Sequence, residues 1–228
     1  MPDVVAKVAA HRPASAVWVN ELGGVTFAID SGAEFVKCYP ETSPESLRSC
    51  PPNEHAGLLV AEAERLQWAS QYVTVPRVLS AGLGWLHTAG LPGRSAVDPR
   101  WAHAPRTAAR AIGTGLRRLH DALPVADCPF GRPSWVPEDA PPADLLVVCH
   151  GDACSPNTLM ADDGTFCGHV DLGDLGVADR WADLAIASMS LDWNFPTEGA
   201  GGFEATLLEA YGVTPDTERM AYYRRAWD

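Results

Sequence analysis

The stretch from Val147 to Met160, VVCHGDACSPNTLM, constrains this chain more than any other. Its β-branched, apolar start calls for a buried strand, yet that strand runs directly into His150, Asp152 and Asn157, polar groups that a core does not accept without partners. The strand must end at a surface or cleft and deliver a polar loop there. A second short apolar run follows, and the turn signal Asp162-Asp163-Gly164 predicts a hairpin whose returning strand leads into GHVDLGD, residues 168–174. That path brings Asp171 back beside the loop it left, so that two carboxylates and one amide oxygen converge.

Oxygen-only donors of this kind suit Mg²⁺, a hard cation whose coordination is commonly completed by substrate phosphates. Asn157 and Asp171 read as the metal-holding pair, and Asp152 as the acid that accepts or orients the proton of an attacking hydroxyl in phosphoryl transfer. Taken singly, each of the three is an ordinary turn residue; the hairpin spacing is what makes them a site. His150 reads as a buried histidine bracing the loop, because the adjacent acid already fills the role of base.

A phosphoryl donor needs a cation for its phosphates and a loop that lets backbone approach them. Residues 16–38 alternate in the pattern of three antiparallel strands, with Gly23-Gly24-Val25-Thr26 at a turn and Lys37 on the third strand. The chain has 17 basic residues, of which only Lys7 and Lys37 are lysines. A helix is predicted over 51–72, capped by Asn53, with Leu58, Ala61, Arg65, Leu66 and Trp68 at near-helical spacing. It offers Glu62 or Glu64 as partner for Lys37. No GxxxxGK[ST] sequence occurs, and GTGLRR at Gly113 lies inside a helix pattern.

Two apolar stretches, 77–81 and 84–89, lead to the turn GLPG at 90–93. A helix over 105–121 presents Ala108, Ile112, Leu116 and Leu119 on one face. The proline-rich interval 123–143 reads as an ordered loop or linker, and helices are expected near 180–191, 203–211 and 215–227. The order predicts an α+β chain of two unequal lobes, 1–90 for nucleotide and 91–228 for catalysis and acceptor. A net charge of −12 gives no footprint for nucleic acid and makes a cationic small molecule the easier partner. The six cysteines show no metal spacing and read as reduced thiols. No window is long and apolar enough for a signal peptide or a membrane span, so the expectation is a cytoplasmic protein.

These stretches resemble the aminoglycoside phosphotransferases of the 3'-phosphotransferase type, whose fold is protein-kinase-like. FVK at 35–37, EAERLQW at 62–68, VPRVL at 75–79, RRLHDALPVADCPF at 117–130, LVVCHGDACSPNTL at 146–159 and HVDLGDLGVADRWADLA at 169–185 follow in collinear order. The resemblance implies ATP and Mg²⁺, a bilobal fold, and transfer of the γ-phosphate to an aminoglycoside hydroxyl. It implies Asp152 as catalytic base, Asn157 and Asp171 as metal ligands, Lys37 on the nucleotide phosphates with Glu62 as its partner, and adenine against backbone near Gly90 and Leu91. Asp183 would brace the catalytic loop, and Asp179 would cap the helix at 180. Where relatives carry a longer, largely helical segment that helps form the antibiotic pocket, this chain has only its short proline-rich interval. Asp174 stands where relatives often carry arginine. Asp174, Asp192, Glu198, Trp227 and Asp228 are the candidate acceptor contacts. Two other readings stay open: a kinase of another small hydroxylated metabolite, and a nucleotide-binding relative impaired in catalysis.

Overall fold

Alternating apolar residues near the start of the chain build the sheet foreseen there. A computed structural model describes residues 1–20, 22–39, 56–196 and 202–227. β1 (Ala14–Val19), β2 (Val25–Ile29) and β3 (Glu34–Cys38) run antiparallel and are joined by β4 (Val78–Gly82) and β5 (Trp85–Ala89) in the order β1-β2-β3-β5-β4. With a short first helix, α1 (Asp3–Ala9), and with α2 (Ala56–Ala69), they form one compact unit, Met1–Ser70 with Pro76–Leu91.

α1 has only seven residues and no side-chain N-cap, so the sequence does not predict it. Val5 and Ala9 on its inner face are buried with Ile29, Val36 and Cys38, which roofs one face of the sheet. α2 lies where a helix was expected, but its buried face is turned from the one predicted. Leu59, Glu62, Ala63, Leu66 and Ala69 are buried while Leu58 is exposed. Apolar spacing alone does not place Glu62, the acid that faces inward, on the buried face. Asn53, the expected cap, lies outside the described residues.

The second unit comprises Gln71–Val75 and Pro92–Asp228. It holds β6 (Arg94–Ser95), α3 (Pro105–Ala122), β7 (Leu146–Cys149), β8 (Thr158–Met160), β9 (Phe166–His169), β10 (Gly176–Asp179), α4 (Arg180–Asn194), α5 (Glu204–Tyr211) and α6 (Thr217–Trp227). Ile112 and Leu116 of α3 pack with Trp181 and Leu184 of α4, Leu207 of α5 and Tyr223 of α6. The glycine of GTGLRR has a packing reason: a Cβ on Gly113 would lie 2.3 Å from the Leu207 carbonyl oxygen, so glycine lets α5 approach α3.

The predicted hairpin is β8–β9, extended by β6, with Thr158 opposite His169. β7 pairs instead with β10, a strand too short to stand out in the sequence. The proline-rich interval is an ordered strap. The Val177 N–H donates to the Gly131 carbonyl at 2.8 Å, Arg132 Nε donates to the Val136 carbonyl at 2.8 Å, and Val136 is buried.

Arg12, just past α1, grips Glu34 of β3 with both terminal nitrogens at 2.8 Å, and Glu34 also meets His87 Nε2 of β5 at 2.8 Å. Hydrogen bonding from Arg12, then from His87, lowers the Glu34 carboxyl to about 2. A carboxyl lowered on folding stabilises the native state above its unfolded value near 4.5 and stops doing so as pH falls toward 2. Glu34→Gln is expected to lower the thermal midpoint at pH 7 by about 2–4 °C, a modest amount because the pair is partly solvated. The gap to the parent should close as a melting series is carried from pH 4.5 to pH 2.

Candidate active site

The loop after β7 is held from beneath by a buried carboxylate. Asp183, in the first turn of α4, is completely buried. Its Oδ2 accepts from the His150 N–H at 2.6 Å and lies 2.9 Å from His120 Nε2, and its Oδ1 accepts from the Gly151 N–H at 3.1 Å. Burial alone would raise this carboxyl, but His120, His150 and the backbone donor outweigh it and hold Asp183 below the usual carboxylate range. His120 Nδ1 meets the Tyr211 hydroxyl at 2.8 Å. Asp179 caps α4 by accepting from the Trp181 N–H.

His150 is a brace, as its sequence position suggested. The Asp152 N–H donates to His150 Nδ1 at 3.3 Å, which makes Nδ1 the acceptor and leaves Nε2–H to donate to the Val170 carbonyl at 3.0 Å. This ring links the two loops of the site. Gly151 between them has φ +87°, and a Cβ there would meet the Asp174 carbonyl oxygen at 2.0 Å.

The structure brings Asn157 to Asp152 and the Asp171 segment to Asn157. Asn157 Nδ2 donates to both the carbonyl and Oδ2 of Asp152 at 3.0 Å, which turns the amide oxygen of Asn157 the other way. Asp152 Oδ1 is buried and receives no N–H or O–H donor among the described residues. The Val170 N–H donates to the Asn157 carbonyl at 3.0 Å, and Asp171 follows with a left-handed backbone, φ 63°. A non-glycine residue in that region is costly and is typical of functional turns. Below it, burial and then His150 push His169 down to about 3, so this ring is uncharged. The loop is also tied to α4 through the Ser155 N–H and Ser190 Oγ at 2.8 Å.

The donor set fits a hard cation: an amide oxygen turned away from Asp152, and a carboxylate on the segment that bonds back to Asn157. The described residues also contain one tight group of ligand-type side chains, His120, Cys149 and Asp183. Hydrogen bonds already engage both His120 nitrogens and both Asp183 oxygens, so it reads as a structural network.

In the first unit Lys37 Nζ meets both oxygens of Glu62 at 2.9 Å, which selects Glu62 over Glu64. Thr26 lies opposite Lys37 across the β2–β3 pair. The Gly23 and Gly24 amides hydrogen-bond within the β1–β2 turn: Gly23 N–H donates to the Asn20 carbonyl and Gly24 N–H to Asn20 Oδ1. The Gly90 N–H likewise donates to the Ala33 carbonyl at 2.8 Å, and Leu91 ends the unit.

Of the acceptor candidates, Asp174 accepts from the Ser134 N–H at 2.9 Å and from its hydroxyl at 3.1 Å, which ties it to the proline-rich strap. Asp192 is exposed near the end of α4, and Trp227 packs edge-on against Trp135 with ring centroids 5.0 Å apart. Glu198 and Asp228 lie outside the described residues. Sequence reasoning missed Trp135, whose indole N–H donates to the Gly151 carbonyl at 2.6 Å. A tryptophan amid prolines carries no motif, so only the fold could reveal it.

Asp183→Ala would strand two backbone donors and His120. It is expected to cost about 3 kcal/mol or more of unfolding free energy, seen as a lower urea midpoint in tryptophan fluorescence. Asp183→Asn, which keeps one acceptor oxygen, should cost less.

The chain matches the family model described as "Phosphotransferase enzyme family" over residues 27–144 and 134–223. It is 33% identical to the streptomycin 3''-kinase of Streptomyces griseus, covering 89% of this chain and 91% of that one. Against the aminoglycoside 3'-phosphotransferase of Streptomyces fradiae the identity is 30%, over 94% of each chain. The solved aminoglycoside phosphotransferase APH(3'')-Id of Streptomyces rimosus superposes with a TM-score of 0.73 at 26% identity, covering 99% of this chain and 98% of that one. A second structure of that enzyme holds ADP and streptomycin and gives a TM-score of 0.70 at 25% identity, with the same coverage. With the polar loop after β7, the β8–β9 hairpin and the Lys37–Glu62 pair in a kinase-like α+β fold, this chain belongs to the phosphotransferase enzyme family.

Proposed function

We propose that the protein transfers the γ-phosphate of ATP to a hydroxyl of an aminoglycoside, with Asp152 as the base. The observation that carries this is the state of the Asp152 carboxylate: Oδ2 is fixed by Asn157, and the buried Oδ1 receives no N–H or O–H donor among the described residues, with only the weakly donating Cys154 thiol beside the carboxylate. An unmatched buried carboxylate oxygen is unfavourable for stability and suited to receiving a hydroxyl proton. The acceptor oxygen attacks the γ-phosphorus, an O–P bond forms as the bond to the β-phosphate oxygen breaks, ADP leaves, and the acceptor proton passes to Asp152. Magnesium held by Asn157 Oδ1 and Asp171 would supply charge neutralisation for the phosphates. Lys37, kept in place by Glu62, supplies a fixed cation for the nucleotide phosphates.

Streptomycin is the favoured acceptor. The 33%-identical relative is named for its 3'' position, and the Streptomyces rimosus enzyme was solved with it bound. The protein's charge of −12 favours a polycation of this kind. One observation supports a smaller acceptor as the second reading. The family match breaks into two segments that meet within 134–144, inside the proline-rich strap. The alignment to the streptomycin kinase spans 249 positions, more than the 228 residues of this chain, so that relative carries segments this chain lacks.

ADP release measured with streptomycin, kanamycin and a panel of amino alcohols should show turnover with an aminoglycoside; turnover confined to the amino alcohols would establish the second reading. Asp152→Ala is expected to lower kcat by about 10²–10⁴-fold with little change in thermal midpoint. Parent-like kcat in that variant would refute the role of base. Lys37→Ala should act mainly on the nucleotide, raising KM for ATP about tenfold or more.

A further inference from the structure

The strap at 131–137 touches both loops of the site. Ser134 gives its N–H and hydroxyl to the Asp174 carboxylate on the loop after Asp171. Its neighbour Trp135 gives its indole N–H to the Gly151 carbonyl at 2.6 Å, on the loop that carries Asp152. That carbonyl belongs to the peptide joining Gly151 to Asp152, whose N–H donates to His150 Nδ1. The peptide is therefore held at both ends, by Trp135 and by His150. Because a peptide unit is planar, fixing both ends fixes the N–Cα bond of Asp152, and Asn157 Nδ2 on the Asp152 carbonyl holds the peptide on its other side, so the two together set where the side chain leaves the backbone.

Gly151 makes this grip necessary. At φ +87° it has no side chain to wedge its peptide, and glycine is the residue least held by its own backbone preferences. Trp135 is itself held. Tyr223 and Trp227 of α6 meet its ring edge-on, at centroid separations of 6.3 and 5.0 Å. The ring is half-buried between α6 and the catalytic loop, and Val136 beside it is buried in the core.

We infer that Trp135 is a positioning residue for the transfer reaction: its indole N–H orients the Gly151–Asp152 peptide and so aims the Asp152 carboxylate. The short strap thus serves catalysis at the place where the family match is broken. The inference rests on Asp152 being the base.

Trp135→Phe keeps the ring and removes only the donor. With ATP and streptomycin as probes it is expected to lower kcat about tenfold while KM for ATP stays within about twofold. Its thermal midpoint should stay within about 2 °C of the parent. Amide exchange at Gly151 and Asp152 should quicken, and exchange within α4 should not. Ser134→Ala, one contact further away, should have a smaller effect of the same kind. Acceptor-free ATP hydrolysis gives the same ratios without depending on streptomycin as acceptor. Parent kcat in Trp135→Phe overturns the inference, as does a loss of activity matched by a falling thermal midpoint, which would mark a merely structural role. Parent kcat in Asp152→Ala sinks the underlying assignment of the base instead.

Discussion

The architecture of the second unit turns on one buried carboxylate. Asp183 carries its charge where no solvent reaches it, and that is tolerable only because two backbone N–H groups and His120 surround it. Those donors come from the loop after β7 and from α3, so the carboxylate locks a loop, a helix and its own helix into one arrangement. A looser contact would not hold a glycine-containing loop in a single conformation. Here the loop cannot shift without uncovering a buried charge.

From that anchor the site is built outward by hydrogen bonds of decreasing burial. His150 passes the constraint from the first loop to the second through Val170, and Asn157 ties back to Asp152. What is left over is as informative as what is bonded. Asp152 Oδ1 and the left-handed Asp171 backbone are features that folding by itself would not favour, and they stand in the two loops that His150 links. Stability sacrificed at such points, on loops braced by Asp183 and His150, fits a site kept for chemistry.

The Lys37–Glu62 pair shows the same logic in the first unit. Glu62 is buried on the inner face of α2, and a buried acid demands a cation. Lys37 was legible because lysine is so scarce in this chain, and its partner was narrowed to Glu62 or Glu64 because the strand and the helix were both evident from periodicity. The orientation of α2 was not legible, since the apolar count could not foresee an acid on the buried face. The turn at Gly23-Gly24 shows a similar limit. Its glycines were visible, but the capture of their amides by Asn20 follows from the backbone path.

By itself, the sequence determined the order of the longer elements, the β8–β9 hairpin and the candidates Asp152, Asn157, Asp171 and Lys37, with Glu62 or Glu64 as the lysine's partner. All of these rest on short-range patterns: alternation, turn chemistry, and charged residues at the ends of apolar runs. Only the tertiary structure decided what holds them. The pairing of β7 with β10, the seat of Asp183 beneath the loop, the Ser134–Asp174 tie and the indole of Trp135 on Gly151 all join residues far apart in the chain. No local pattern encodes such contacts, because the partners become neighbours only when the core closes.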